Sequence, residues 1–288
     1  GTKIVGVSDL YEARVKETIS SLNSEESIKG YWGKDTLWIE MIKETKPDVV
    51  FVSTNWDNHA PMAIKSMELG SHAFVEVPLA NTIEDLWRIV NTSEKTRKHC
   101  MMLENVNYGR EELMFLNICR KGLIGDLIHG EASYIHDLRA QMFQKDETSF
   151  DGHPGTGSWR TKQYSKNIGN LYPTHGLGPV AQYMSLARKK DNFDKIVSLS
   201  SPSKGRYLMA KKYFDKNHEW NNLEFKNGDI NTSIIQTTYG KTIMIQWDET
   251  SPRPYTRHNL IQGTMGALTG FPTRVFFDSE ENQNSIGY

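Results

Sequence analysis

The first hundred residues alternate short apolar, β-branched runs with segments of helical periodicity. Strand candidates are KIVGVSD, PDVVFVST, HAFVEV and CMMLEN, and helix candidates between them are LYEARVKETISSL, TLWIEMIKETK, APMAIKSMELG and NTIEDLWRIVNTSEKTRK. Strands that alternate with helices build βαβ units, so this half predicts a doubly wound, Rossmann-like parallel sheet. Gly70 stands where a helix should end, and Asn81 and Glu84 have the spacing of a capping box.

After about residue 107 the pattern changes. A helix candidate, REELMFLNICRKG, is followed by the strand candidates LIHGEASYIHD, KIVSLSS, TSIIQTTYG and KTIMIQWDE. Loops rich in Gly, Pro and Asn are predicted at 140–174 and 248–275, where functional residues are expected. The pattern predicts an α+β domain with a mostly antiparallel sheet. We therefore expect two domains, a nucleotide-binding domain at 1–106 and a substrate-binding, catalytic domain at 107–288.

Charge and cysteine content narrow the classes of ligand. The 288 residues hold 34 Lys plus Arg against 35 Asp plus Glu, which argues against a nucleic-acid partner and favours a small, weakly charged ligand. Two cysteines form neither a disulfide framework nor a zinc motif, so no metal is expected. No apolar run reaches the roughly 18 residues of a membrane span. The chain begins inside a strand, and we expect an upstream segment to be missing.

Polar residues at strand ends suggest a dinucleotide. Asp9 ends the first strand, where an acidic residue accepts hydrogen bonds from the adenosine ribose and favours NAD over NADP. The alternative is that Asp9 caps the next helix, with Glu12 in capping-box spacing. Trp56 and His59 follow the next buried strand, and a loop Trp packed on the surface is the competing interpretation. The glycine-rich turn is not present, so either the fold differs or the chain begins at strand two.

Two further motifs stand at turns. In VEVPL, Glu76 precedes Pro78, which implies a constrained turn and a possible cis peptide bond. In NLYPTHGLGP, His175 lies among two prolines and two glycines and leads into the apolar run VAQYMSLA. This is more turn chemistry than ordinary core packing requires, although a histidine that only caps the following helix is the alternative.

Together these motifs resemble the Gfo/Idh/MocA family of NAD(P)-dependent oxidoreductases over nearly the whole chain. Most dehydrogenases of that family carry Glu-Lys-Pro where this chain has Val77 in place of the lysine. They also place an Asp and a His four residues apart in the helix that VAQYMSLA would form, and no such pair occurs between Ile168 and Leu186. The usual apparatus for oxidising an alcohol to a ketone is therefore not expected.

One branch of the family is similar in these same places, the NAD-dependent α-N-acetylgalactosaminidases of glycoside hydrolase family 109. The shared motifs are EVP, a W..H loop, MLEN, YIHDLR and, most specifically, GNLYPTHGLGP. The resemblance implies NAD contacts from Asp9, Trp56, His59, Glu76, Val77 and Asn105. It implies sugar contacts from Tyr134, Arg160, Tyr172, His175 and Tyr255. Taken singly, Tyr134 could be a core-facing sheet residue and Arg160 a partner in a loop salt bridge.

The resemblance also implies a mechanism. NAD takes a hydride from C3 of the sugar, a base removes the acidified C2 proton, the C1 substituent is eliminated, water adds, and the hydride returns. His175 is the expected base, with Tyr134 and Tyr172 sharing the proton transfers and Arg160 stabilising negative charge. Such chemistry does not need the carboxylate pair of most glycosidases, and no convincing pair is found in the loops of the second half.

Two other functions stay open at this stage. A plain NAD-dependent sugar dehydrogenase would accumulate NADH, whereas an inactive relative would only bind a sugar or nucleotide. The wider family also suggests a homo-oligomer and, for many relatives of this branch, bacterial export.

Overall fold

The computed structural model describes residues 1–22, 27–144, 157–188 and 190–278, which fall into two compact units. The first unit contains Gly1–Leu103, and the second contains Glu104–Phe143 and the described residues from Gly157 onwards.

The first unit is built from parallel strands and helices. Its elements are β1 (Gly6–Asp9), α1 (Glu12–Ser21), β2 (Lys29–Trp32), α2 (Leu37–Thr45), β3 (Val49–Val52), α3 (Trp56–Glu68), β4 (His72–Val75), α4 (Ile83–Thr96) and β5 (Cys100–Met102). β1 pairs with β2, and β3, β4 and β5 form a second sheet in that order, all in parallel. In a dinucleotide-binding sheet the strand order is 3-2-1-4-5-6. The neighbours β1-β2 match strands 2 and 3 of that order, and β3-β4-β5 match strands 4, 5 and 6, which confirms the Rossmann-like prediction.

Helix α3 shows why the apolar periodicity of the sequence predicted a helix here. Ala60, Ala63, Ile64 and Met67 repeat at three- and four-residue spacing and are all buried in one core with β3 and β4. The backbone then turns at Gly70, whose φ of +95° suits glycine because it has no Cβ. By contrast, β2 was missed, because KGYW is short and lacks a β-branched residue.

The second unit is organised around one large sheet. Its elements are α5 (Arg110–Arg120), β6 (Leu127–Ile135), α6 (Gly157–Lys166), α7 (Thr174–Tyr183), β7 (Phe193–Ser200), α8 (Gly205–Tyr213), β8 (Ile230–Thr237), β9 (Thr242–Asp248), β10 (Asn259–Gly263), β11 (Gly266–Gly270) and β12 (Arg274–Phe277), with 3₁₀ helices at Asn105–Tyr108, Arg139–Phe143 and Glu219–Asn221. The described strands lie in the order β12-β11-β10-β6-β9-β8-β7. Among the described strands, only the β6–β9 pair is parallel, and the other neighbours are antiparallel. The prediction of a mostly antiparallel sheet is therefore confirmed.

The two long predicted loops are partly wrong. Helix α6 lies within 140–174, and β10 and β11 lie within 248–275, while residues 145–156 fall outside the described chain. α6 has the sequence GSWRTKQYSK, which carries no clear apolar stripe. β10 and β11 are five-residue strands that hydrogen-bond as neighbours in the sheet. Tertiary pairing rather than local propensity decides such segments.

Neither the two cysteines nor the potential metal ligands among the described residues indicate a thiol or metal site. Cys100 and Cys119 are unpaired, and burial raises the pKa of their thiols to about 11 and about 12, which disfavours the reactive thiolate. Within the described residues, no group of three or more His, Cys, Asp or Glu side chains is arranged to hold a metal ion. Each helix in the same part of the chain is too short or too polar to cross a lipid bilayer.

The start of α4 differs by one residue from the predicted capping box. Thr82 is the cap: its hydroxyl oxygen accepts from the backbone N–H of Asp85 at 3.1 Å and donates to the Asp85 carboxylate at 3.0 Å. Asn81 instead donates its side-chain amide to Asp57 at 2.9 Å. Thr and Asn are both favourable caps, so only the backbone geometry selects between the two adjacent residues.

We expect Thr82→Ala to open the first turn of α4, because an orphan backbone N–H loses its acceptor. A cap of this kind stabilises a helix by about 1 kcal/mol, which corresponds to about fivefold faster amide hydrogen exchange there. Asn81→Ala is the matched control and should change that exchange by much less. Equal effects of the two substitutions would contradict the assignment of Thr82 as the cap.

Candidate functional site

Asp9 lies at the carboxyl end of β1, where parallel sheets bind nucleotides. Its Oδ1 accepts from the backbone N–H of Tyr11 at 2.9 Å, and its Oδ2 lies 3.7 Å from the guanidinium of Arg14. Its side chain is about one third exposed (32%). The alternative prediction of a helix cap paired with Glu12 is wrong, because α1 begins after Tyr11 and Asp9 instead stabilises the turn before it.

Trp56 and His59 occupy the first turn of α3, whose cap is Asn55. Both side chains are buried, at 3% and 0% exposure, so Trp56 is not the surface loop residue of the alternative interpretation. The Nδ1 of His59 lies 2.6 Å from the carbonyl oxygen of Pro78, and its Nε2 lies 3.0 Å from that of Thr54. His59 therefore ties together the segments that follow β3 and β4, and direct contact with a cofactor stays a prediction.

The segment after β4 carries the next predicted residues. Glu76 is exposed, and its backbone N–H donates to the carbonyl of Val52 at 3.0 Å. Val77 is buried at 4% exposure, and the Val77–Pro78 peptide bond is cis, as the sequence suggested. Asn105, by contrast, is an exposed residue of the second unit, at the start of a 3₁₀ helix.

In the second unit, His175 forms a short hydrogen bond with Glu104. Nδ1 of His175 lies 2.7 Å from Oε1 of Glu104, and the two side chains are 12% and 3% exposed. The same Oε1 accepts from the backbone N–H of Val106 at 3.0 Å. His175 is the second residue of α7 and does not act as its cap, because no side-chain cap bond is formed there.

Two opposing effects act on the Glu104 carboxyl. Burial alone would raise its pKa, but the hydrogen bond with His175 lowers it, and Thr174 and Val106 act in the same direction. The net pKa lies below the ordinary value, so Glu104 is a carboxylate at neutral pH. A carboxylate only accepts hydrogen bonds, and His175 must therefore carry its proton on Nδ1. In the neutral ring, Nε2 is then the nitrogen with a free lone pair.

Two tyrosines surround this imidazole. The ring of Tyr134, from β6, meets His175 edge to face at a centroid distance of 4.9 Å, and Tyr172 does so at 4.7 Å. The two tyrosine rings lie 5.6 Å apart. Burial raises the pKa of Tyr134, and the negative charge of Glu249 adds to the shift, so its phenol stays protonated. The structure thus brings Tyr134, Tyr172 and His175 into one cluster.

The glycines beside His175 lie close to neighbouring elements of the second unit. A Cβ on Gly176 would lie 3.1 Å from the Cβ of Ala132, and one on Gly178 would lie 2.8 Å from Oδ1 of Asn107. They therefore allow α7 to approach β6 and the 3₁₀ helix at Asn105–Tyr108 closely. This approach places His175 next to Glu104.

The remaining predicted sugar residues lie at the margin of the cluster. Arg160 is on α6, not in a loop, and its guanidinium lies 5.0 Å from the ring of Trp159. Its positive charge lowers the pKa of Tyr134, against the larger effect of burial. Tyr255 is half exposed at 49%, and its ring meets His136 edge to face at 5.0 Å.

Sequence reasoning missed Glu104 and His136, although they lie inside the MLEN and YIHDLR motifs. Glu104 follows the apolar run CMML, and a carboxylate directly after a buried strand was the available signal. Nδ1 of His136 lies 2.9 Å from the hydroxyl of Tyr134, two residues earlier in the chain. Buried Asp248 and Glu249 are not a free acid pair: Asp248 accepts from Thr250 and Ser251, and Glu249 from Tyr164.

We expect Glu104→Gln to destabilise the fold by about 2 kcal/mol at neutral pH, the scale of a buried charge-assisted hydrogen bond. Because the pKa of Glu104 is lowered on folding, its contribution is complete above the ordinary carboxyl pKa of about 4.3. It is lost as the pH falls through the lower folded-state pKa. The difference between wild type and variant should therefore shrink below about pH 4.

Denaturant unfolding at several pH values would measure this difference. Glu131→Gln is the matched control, since Glu131 pairs with His258 at 3.0 Å but its side chain is 31% exposed. It should cost less than about 1 kcal/mol. A Glu104→Gln effect that does not vary with pH would contradict a buried, ionised carboxylate.

Comparison with known proteins places these features in a family. Residues 108–286 match the family model described as glycosyl hydrolase 109, C-terminal domain, and residues 1–104 match the oxidoreductase family with an NAD-binding Rossmann fold. Glycosyl hydrolase family 109 protein 1 of Akkermansia muciniphila is 54% identical over 99% of this chain and 58% of its own length. The alpha-N-acetylgalactosaminidase of Shewanella oneidensis is 51% identical over 97% of this chain and 60% of its own.

Solved structures agree on the fold. An NAD binding oxidoreductase from Klebsiella pneumoniae aligns with a TM-score of 0.73 at 16% identity, over 98% of this chain and 68% of that one. The chain spans about three fifths of the length of the curated relatives named above. Since a single family model covers more than half of the chain, this protein belongs to glycosyl hydrolase family 109, as the sequence motifs predicted.

Proposed function

We propose that this chain carries the NAD-dependent catalytic part of a glycosidase that acts on α-N-acetylgalactosaminides. Family membership supports a glycoside hydrolase, and the relative from Shewanella oneidensis is named for this substrate. The observation that carries the proposal is the Glu104–His175 pair enclosed by Tyr134 and Tyr172, which provides an oriented base beside aromatic surfaces.

The first unit has residues that fit a dinucleotide. The carboxylate of Asp9 is partly open to a ligand at the end of a parallel strand and would accept hydrogen bonds from the ribose hydroxyls. Exposed Glu76 and the first turn of α3 lie after two adjacent parallel strands, where such cofactors bind. Asp9, Glu76 and the α3 turn would therefore hold NAD, with Trp56, His59, Val77 and Asn105 as further proposed contacts.

The cofactor, when bound, supplies a reversible hydride acceptor for a sugar carbon. This chain's own residues would then move the protons. His175 is suited to removing the C2 proton, because Glu104 holds Nδ1–H and leaves Nε2 as the basic atom. Tyr134 and Tyr172 offer aromatic faces for the apolar face of a pyranose, and their hydroxyls join the proton transfers.

Negative charge that develops on the sugar has a proposed partner in Arg160. Arg160 lies close enough to Tyr134 to affect the pKa of its phenol, and a guanidinium there would stabilise an enolate oxygen. Tyr255, half exposed at the margin, is suited to contacting the part of the glycoside that is released. We propose both as sugar-binding residues.

Val77 distinguishes this chain from the dehydrogenases that it resembles. In the resembling dehydrogenases a lysine stands at this point to assist proton transfer from the alcohol. Here the side chain is apolar and buried at 4% exposure, so no protonated amine is supplied at that position.

We expect the chain, supplied with NAD, to release nitrophenol from 4-nitrophenyl α-N-acetylgalactosaminide without accumulating NADH. His175→Ala should lower this turnover by at least about a hundredfold, because general base catalysis is lost. NAD binding, measured by calorimetry, should stay near the wild-type value. Nitrophenol release and NADH absorbance are followed in the same cuvette.

His258→Ala is the matched control, a histidine paired with Glu131 in the same unit, and its turnover should be close to wild type. Accumulation of NADH with a free sugar would indicate a dehydrogenase instead. NAD binding without turnover of a panel of nitrophenyl glycosides would indicate a binding protein, and full activity of His175→Ala would remove this residue from the mechanism.

A further inference from the structure

Tyr134 and His136 form a hydrogen-bonded pair at the end of β6. The phenol oxygen of Tyr134 lies 2.9 Å from Nδ1 of His136, and the rings meet nearly perpendicular at 5.8 Å. Residues two apart on an extended chain project to the same face, so the spacing itself allows the contact. The backbone N–H of His136 donates to the carbonyl of Asp248 at 2.8 Å, which fixes the main chain from which the imidazole projects.

The pair extends from the enclosed cluster towards solvent. Tyr134 touches His175 and Tyr172 on one side, while His136 touches Tyr255, which is half exposed. The imidazole of His136 thus lies between the phenol of Tyr134 and half-exposed Tyr255 at the margin of the cluster. Such a position suits a group that passes protons between a reacting site and water.

A tyrosine in this environment cannot act as a base alone. Burial and the charge of Glu249 raise the pKa of Tyr134, so a free phenolate is not populated near neutral pH. The phenol oxygen accepts a proton only if its own proton leaves in the same step. The adjacent Nδ1 of His136 is the acceptor within reach.

We propose that His136 is a positioning and relay residue, which orients the Tyr134 hydroxyl and takes its proton when the phenol oxygen receives one from the sugar. The inference rests on the proposed glycosidase function and deepens it. In the forward step a sugar hydroxyl gives its proton to the Tyr134 oxygen and keeps the electron pair on the sugar oxygen, while the O–H bond of Tyr134 breaks and its proton forms the N–H bond of His136. The resulting imidazolium returns its proton in the reverse step or loses it to water, so no electron is gained or lost.

The nearby charges leave His136 free for this role. Among the described charged groups, Glu249 is hydrogen-bonded to Tyr164, Glu104 to His175, and Asp137 to Arg139 at 2.8 Å. The positive charge of Arg160 lowers the pKa of Tyr134, whereas burial raises it. No described carboxylate forms a salt bridge with His136.

The first test is spectroscopic and does not depend on activity. Nitrogen-15 spectra of the imidazoles should show His136 with a bare Nδ1 and a proton on Nε2 at neutral pH. Tyr134→Phe should shift the Nδ1 resonance, whereas Tyr172→Phe, which removes a hydroxyl from the same cluster, should leave it near its wild-type position. A proton on Nδ1 in the wild-type chain would overturn the relay, because that nitrogen would then be the donor.

The second test is kinetic and compares three variants on the nitrophenyl substrate. We expect His136→Ala to lower kcat by about a hundredfold and to remove one limb of the pH profile, with KM changed much less. His136→Asn keeps an acceptor close to the place of Nδ1 but cannot hold the proton, so its KM should equal the wild-type value and its kcat should recover only slightly. His129→Ala, in the same strand, is the control and should retain wild-type kinetics.

Recovery of wild-type kcat and pH profile in His136→Asn would overturn proton transfer to His136. A wild-type chain without any turnover would contradict the proposed function, and the spectroscopic test would still decide whether Tyr134 donates to His136. The two failures are therefore distinguishable.

Discussion

The hydrogen bond between Glu104 and His175 is the interaction on which the candidate site depends. A carboxylate buried to this degree is costly unless it is paired, so Glu104 requires the imidazole as much as the imidazole requires it. The bond fixes the tautomer of His175 as well as its orientation. The basic nitrogen of the site is thus chosen by an acidic residue 71 positions earlier in the chain.

Close packing of backbone makes this bond possible. Gly176 and Gly178 face β6 and the 3₁₀ helix at distances that would not admit a Cβ without movement of the neighbours. Strand β6 in turn supplies Tyr134, and its exit supplies His136. Helix α7 and strand β6 therefore set the positions of His175 and His136, and both imidazoles contact the ring of Tyr134.

Much of the fold was predictable because its signals are local. The parallel strands β3 and β4 are continuous apolar runs, and α3 repeats its apolar residues at helical spacing, so pattern alone identified them. The structure also contains elements that the sequence did not predict, and these are short or weakly patterned: β2, α6, α8, β10, β11 and β12. They are strands and helices because neighbouring segments pair with or pack against them, and a linear sequence does not display those neighbours.

The sequence by itself determined the family and the residue types of the site, because GNLYPTHGLGP and YIHDLR are long motifs whose chemistry can be recognised in isolation. Only the tertiary structure decided which partners those residues have. In the folded chain His175 is hydrogen-bonded to Glu104, and the Tyr134 hydroxyl is hydrogen-bonded to His136. Both ring nitrogens of His59 face backbone carbonyls, and the cap of α4 is Thr82 and not Asn81. Hydrogen bonds act over about 3 Å in space, and separation along the chain carries no information about that distance until the backbone has folded.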